Sequence, residues 1–346
     1  MPPHSLPWLT IGSAMAVTLL LLAVGIPFAH RVGWLDYPNE RKPHQIPVPM
    51  VGGVAMFGGL LVGGTLLDAA AYPVVVLGLA ATLVVILGCL DDCRTLSTRI
   101  RLLSELLIAL LLIEWGEIRV LALGNLLGTG PLFLQGWSAP FTALCFIGTV
   151  NAINMSDGSD GLAAGQTFVS LLCMLAMAVW WQQGQEASML LLVIMVVFSF
   201  LLFNAPLTPR RTALTFMGDA GSKLLGLALF LFTVHLSQKP EPLFSPVTAL
   251  WLLALPLMEL FGSILRRLLG HQSPFHADKG HIHHRLQRLG YNKRHIFFLL
   301  TGFSLLCAAV GCAAFLLGVP DYLMFYGLLL LFAGYCWFVT RHHVSV

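Results

Sequence analysis

The chain has 346 residues, 57% of them hydrophobic and 10% charged, with a formal net charge of +3. Soluble domains carry roughly 25% charged residues, so this composition, with a mean hydropathy of +0.83, excludes a soluble globular protein. It describes a polytopic membrane protein with no composition shift marking a second domain, so residues 1–346 are expected to form one integral membrane domain without a nucleic-acid partner.

A membrane span needs about 20 apolar residues. Eleven stretches serve: 8–29, 50–67, 72–90, 102–116, 138–155, 163–182, 187–205, 222–237, 246–265, 296–317 and 321–340. The first lacks the basic start and small-residue cleavage site of a signal peptide and is expected to be retained. Placing the connections alternately on two sides puts 17 of the 19 Lys and Arg on one side, leaving Arg119 and Lys239 on the other. By the positive-inside rule the basic side is cytoplasmic. The expected fold is all-α, with about eleven transmembrane helices, a periplasmic N-terminus and a cytoplasmic C-terminus. Asp36, Asp91, Asp92, Asp157, Asp160, Asp219 and Asp278 also gather on the cytoplasmic side, where an active site is expected. The outer segment 117–137 alternates around Gly and Pro as a small hairpin does. The seven cysteines lie in or beside apolar runs without metal-ligand spacing and read as small buried hydrophobes, not disulfides. The glycine-rich second span suits close helix packing and is compatible with a homodimer.

Five inner segments carry the chemistry. The first, L-D-Y-P-N-E-R-K-P-H-Q-I-P-V-P-M-V-G-G, is proline-pinned and extended, and its Arg41, Lys42 and His44 suit either a phosphate or a lipid headgroup. In the second, G-C-L-D-D-C-R-T-L-S-T-R-I-R, adjacent Asp91 and Asp92 repel and keep both charges only beside a cation or donors. Arg94, Arg99 and Arg101 are near in sequence, and Mg²⁺ is the other candidate. The third, N-A-I-N-M-S-D-G-S-D-G-L-A-A-G from Asn151, places two Asn and two Asp between apolar runs, where polar groups are costly unless they serve a site. Asp157 and Asp160, three apart, would share a face if helical. In the fourth, F-N-A-P-L-T-P-R-R-T-A-L-T-F-M-G-D-A-G-S, Asp219 opens a new span whose N-terminus favours anions. The fifth lies within a His/Arg-rich cytoplasmic loop, 266–295, with His276, His281, His283 and His284 among Lys279, Arg285 and Arg288. Zinc is disfavoured there, since no Cys accompanies the histidines and cations surround them. The same cations suit a diphosphate. Together the segments imply a membrane enzyme that handles a phosphate or diphosphate, with a hard divalent cation. A transporter of an anionic metabolite would place its ionisable groups at mid-membrane, where Glu259 is the main exception here.

The motifs D-D at 91–92, N-A-I-N-M-S-D-G-S-D-G-L at 151–162, F-M-G-D-A-G-S at 216–222 and H-I-H-H-R-L at 281–286 together resemble those of the polyprenyl-phosphate N-acetylhexosamine-1-phosphate transferases. The resemblance runs from Asp36 to about Leu300. It implies a multi-pass enzyme of the bacterial inner (cytoplasmic) membrane that joins a UDP-sugar to a polyprenyl phosphate and releases UMP. Mg²⁺ is the implied cofactor, with Mn²⁺ the alternative. The H-I-H-H-R-L loop is similar to that of the branch using UDP-N-acetylglucosamine and undecaprenyl phosphate, in the first membrane step of cell-surface polysaccharide assembly. The branch using UDP-N-acetylmuramoyl-pentapeptide has three adjacent histidines, a run that Ile282 interrupts here. Another UDP-N-acetylhexosamine would use the same chemistry. By matching position, the resemblance makes Asp219 and Asn154 metal ligands and Asp91, Asp92 and Asp219 catalytic. It makes Phe216, Asn204, Asp157 and Asp160 nucleotide-binding, His281, His283, His284 and Arg285 sugar-phosphate-binding, and Arg101 and Lys42 phosphate contacts. Attack by the lipid phosphate is expected to be direct, the alternative being a phospho-aspartyl intermediate on Asp92.

Overall fold

The computed structural model describes residues 7–38, 46–67, 74–207, 212–273 and 280–341. Over these residues the chain forms thirteen α-helices and one short strand pair. In order they are α1 (Trp8–Val32), β1 (Leu35–Asp36), β2 (Val48–Pro49), α2 (Gly52–Leu66), α3 (Val74–Arg94), α4 (Thr98–Glu114) and α5 (Ser138–Ser156). Then come α6 (Leu162–Trp180), α7 (Gly184–Asn204), α8 (Gly218–Gln238), α9 (Pro246–Leu252), α10 (Ala254–Leu269), α11 (Ile282–Arg288), α12 (Lys293–Leu316) and α13 (Asp321–Arg341).

Each of the eleven apolar stretches is helical, but fewer than eleven pass as straight spans. Seven helices are long and apolar enough to cross a membrane, or eight if α9 and α10 together form one crossing. Helix α2 has 15 residues and α4 has 17, while α5 ends in a polar turn that carries Asn151 and Asn154. The stretch 246–265 is broken: α9 and α10 meet at 82°. Pro256 explains the break, since it has no N–H for the Leu252 carbonyl and its ring crowds that oxygen. The Ser170 hydroxyl donates to the released Leu252 carbonyl at 2.7 Å.

Helix α8 is the axis of the bundle. Within its spanning window 83% of residues are buried, against 17% in α13, and it packs on α2, α3, α5, α6 and α9. Glycines permit the approach. A Cβ on Gly53 would collide with the Gly221 backbone, one on Gly88 with Ala220, and one on Gly226 with Val150. The glycines of α2 are thus used within the chain: Gly53 meets α8, while Gly59 lies against Thr18 of α1 and Gly63 against Leu192 of α7.

Two charges sit inside the bundle where a loop cation was expected. Lys223, assigned above to the cytoplasmic fringe, is 1% exposed within α8 and pairs with Glu105 of α4 at 3.3 Å. Asn151 of α5 donates to the other Glu105 oxygen at 2.6 Å. A fully buried carboxylate is tolerable only with such partners. Glu259 is therefore not the main intramembrane exception; Glu105 stands beside it.

On the far side from these polar ends, residues 117–137 close through an Ala122–Phe133 antiparallel bridge, as the alternation implied. The Gln238 side chain at the end of α8 binds the Leu121 and Ala122 backbone, and Asp321 accepts from Asn125 N at 3.0 Å. All seven cysteines are free; Cys307 and Cys312 are buried, whereas Cys93 is exposed and departs from the expected pattern.

Candidate active site

The site begins where α3 ends against the first turn of α8. Met217, the residue before α8, offers no side-chain cap. Asp92 supplies one from another helix: its Oδ1 accepts from Asp219 N at 2.9 Å and its Oδ2 from Ala220 N at 3.5 Å. Helix N-terminal N–H groups lack intrahelical acceptors, and an anion there is favoured. Gly218, with φ of +65°, turns the chain in a region other residues avoid, and a Cβ there would strike the Asp92 carboxylate.

Asn154, in the last turn of α5, joins this pair. Its Nδ2 donates to Asp219 Oδ1 at 2.8 Å and Ser222 Oγ at 2.9 Å. Asp91 is 6% exposed; its Oδ1 accepts from Leu96 N at 2.8 Å and its Oδ2 pairs with Arg101 at 3.3 Å. Neighbouring carboxylates keep their charges only beside donors or a cation. Asp157, just beyond α5, is pushed up to about 8, by burial first and then by the charges of Asp219, Asp92 and Asp160.

The donor set fits Mg²⁺. It offers hard oxygens on Asp219 and the Asn154 amide, beside the further carboxylates of Asp91 and Asp92. Among the described residues no group of three or more His, Cys, Asp or Glu forms a metal cluster. Mg²⁺ needs no such cage, since it keeps waters and takes phosphate oxygens.

Backbone bonds knit the first and fourth segments behind this centre. Pro49 O accepts from both Phe216 N and Thr215 Oγ1 at 2.8 Å, and Gly52 N donates to Phe216 O at 3.0 Å. Leu35 pairs with Pro49 and Asp36 with Val48. Lys42, between these two strands in sequence, lies outside the described residues.

Asp157 and Asp160 lie in the gap between the apolar stretches 138–155 and 163–182 and not on a helix. Helix α5 stops at Ser156, Gly161 takes φ of +76°, and α6 starts at Leu162. Asp160 is held by Lys293 of α12 through bonds of 2.9 and 3.0 Å. Asn204, 3% exposed, accepts from Gly161 N and donates to Thr215 O, both at 2.7 Å. These two residues brace the loop in this structure.

The histidine segment covers the same loop. His283 is 2% exposed and its ring lies where a Gly158 side chain would be. Burial, then the neighbouring His284 and His281, hold it down at about 3, with Glu259 opposing. Burial also lowers His284. The His283 and His284 rings are 4.2 Å apart, and Arg285 Nε donates to Gly280 O at 3.1 Å. His281 is held by Glu259, Nδ1 to Oε2 at 2.8 Å. Sequence reasoning missed the partners of Glu105 and Glu259. A charge in an apolar run was the only available signal, and it does not name a partner.

The sequence has relatives. Residues 74–237 match the family described as glycosyl transferase family 4. The chain is 33% identical to an undecaprenyl-phosphate alpha-N-acetylglucosaminyl 1-phosphate transferase of Escherichia coli (strain K12), over 95% of this chain and 91% of that one. It is 34% identical to the protein of that name from Yersinia pestis, over 94% and 90%, and 32% identical to that of Pasteurella multocida (strain Pm70), over 94% and 90%. With its carboxylate-bearing helix ends inside the matched region and the likeness extending along nearly all of both chains, this protein belongs to glycosyl transferase family 4.

Proposed function

We propose that this protein transfers N-acetylglucosamine 1-phosphate from UDP-N-acetylglucosamine to undecaprenyl phosphate, on the cytoplasmic face of a bacterial inner membrane. The observation that carries the reading is the meeting of Asp92, Asn154 and Asp219 at the N-terminus of α8, in a chain whose relatives bear that activity in their names. The orientation rests on two further features. Arg31, Arg94, Arg99, Arg101, Lys293 and Arg294 lie at the helix ends that carry the aspartates. Exposed Trp8, Trp115, Trp137 and Trp180 lie at the opposite ends, as interfacial aromatics do. Eleven crossings follow if α2, α4 and α5 also span.

In the reaction an oxygen of the lipid phosphate attacks the β-phosphorus of the UDP-sugar. The bond from that phosphorus to the bridging oxygen breaks, and UMP leaves with the oxygen. Asp219 and the Asn154 amide oxygen are the residues that would hold Mg²⁺ or Mn²⁺, which neutralises diphosphate charge and makes UMP a better leaving group. Asp92 has both oxygens committed to backbone N–H groups, which suits a residue that fixes the α8 terminus and argues for direct attack over a phospho-aspartyl route. Arg101 and the His281–Arg285 segment supply donors for phosphate oxygens. Phe216 presents a ring for uracil, and Asp157 and Asp160 shape the nucleotide side.

Purified protein with Mg²⁺, undecaprenyl phosphate and a panel of UDP-sugars, assayed for UMP, tests the reading. UMP release with UDP-N-acetylglucosamine as the preferred donor is expected. Preference for another donor overturns the sugar assignment, and a ping-pong pattern with UMP leaving before lipid binds overturns direct attack.

A further inference from the structure

Glu259 sits in α10 at 3% exposure, among Met258, Leu255 and Gly262. Its carboxylate ties three elements. His281 Nδ1 lies 2.8 Å from Oε2, Ile282 N donates to Oε1 at 3.2 Å, and the Tyr335 hydroxyl of α13 donates to Oε1. Gly262 makes room for the Tyr335 ring, since a Cβ there would come within 2.8 Å of its Cε1. A buried carboxylate costs several kcal/mol unless compensated by donors, so a site needing only packing would hold an apolar residue. His281 precedes α11, and its ring stacks on His283 with centroids 5.7 Å apart and planes 2° from parallel. His283 in turn rests on Gly158, in the loop that follows Asn154. The carboxylate thus reaches the aspartate centre through two stacked rings.

We propose that Glu259, braced by Tyr335, is a positioning residue that commits His281 Nδ1 to the carboxylate and leaves Nε2 as the ring atom for the diphosphate of the nucleotide-sugar. A carboxylate on one imidazole nitrogen fixes the ring orientation, and Nε2 donates to a phosphate oxygen when the ring carries both protons. Helix α13, the least buried of the spanning helices, thereby takes part in nucleotide recognition through one hydroxyl. This inference rests on the functional reading above and names further residues that serve it.

The test is steady-state UMP release by Glu259→Gln, Tyr335→Phe, His281→Gln and the double variant Glu259→Gln/His281→Gln, varying UDP-N-acetylglucosamine and undecaprenyl phosphate separately. Loss of an ionic hydrogen bond predicts that Glu259→Gln raises the nucleotide-sugar KM about tenfold, leaving the lipid KM unchanged. Tyr335→Phe should raise the same KM by a smaller factor, and the double variant should be no worse than His281→Gln alone. A fall in kcat with both KM values unchanged, or effects of Glu259→Gln and His281→Gln that multiply, overturns the proposal. If Glu259→Gln does not fold, Tyr335→Phe decides: a raised nucleotide-sugar KM supports the proposal and an unchanged one overturns it. An inactive wild type overturns the functional reading and this inference with it, whereas an active wild type with unmoved KM values overturns this inference alone.

Discussion

Glu105 and Glu259 are both buried carboxylates, at 1% and 3% exposure, and they serve different halves of the site. Glu105 meets Lys223 and Asn151, so all three partners stand on helices of seventeen residues or more. Glu259 meets a ring and a backbone N–H at the start of a seven-residue helix, and a phenol on the bundle's edge. The first fixes helices to one another one turn beneath the aspartates. The second fastens a short covering segment that has little apolar surface of its own. Buried charge is used twice here, once for rigidity and once to hold what packing alone would not.

The largest expected effect falls on the rigid half. Lys223→Met leaves Glu105 charged and buried with one amide partner, which should cost about 3–5 kcal/mol, read by thermal unfolding in detergent. Glu105→Gln/Lys223→Met should recover most of that loss, and a double variant as unstable as the single would break the contrast. Next comes the aspartate centre. Asp219→Ala should lower UMP release on the order of 10²–10³-fold, as loss of an electrostatic group does. Its thermal midpoint should stay or rise, because one of several mutually repelling carboxylates is gone. Normal turnover would remove Asp219 from the chemistry.

On the covering half, His283 is neutral in the folded protein, with its titration held at about 3, against about 6.5 in an unfolded chain. The unfolded state therefore binds the proton first, so stability present above pH 6.5 is lost as pH falls toward 3. Relative to His283→Gln, the wild type should lose about 2 kcal/mol by pH 5. Parallel pH–stability curves for the two proteins would sink that expectation. The smallest effect belongs to Asp160→Asn. Its partner Lys293 is 35% exposed, so the loss should be about 1 kcal/mol, shrinking with added salt.

Much of the site could be read from the sequence because its motifs report chemistry directly. Carboxylates and amides at the edges of apolar runs have few reasons to exist, and Asp92, Asn154 and Asp219 do meet. Helix positions were legible because apolar length is a strong signal. What the sequence withheld was pairing. Nothing local says that Asp92 caps a helix 127 residues away, or that Asn204 bridges Gly161 and Thr215. The three-residue spacing of Asp157 and Asp160 would put them on one face of a helix, but α5 stops at Ser156 and Gly161 caps the start of α6, so the pair stands in the loop that the gap between two apolar runs already marked. The break at Leu253 was signalled by Pro256, but its 82° size depends on the packing that captures the released carbonyl.

That Asp92 closes the first turn of α8 from so far back in the chain has a consequence for biosynthesis. A nascent chain that ends at α7 contains Asp92 and Asn154 but lacks the helix terminus they meet. On the function proposed above, a site for magnesium and nucleotide is complete only once the eighth helix has packed among its predecessors, so a translation product halted earlier would be inert.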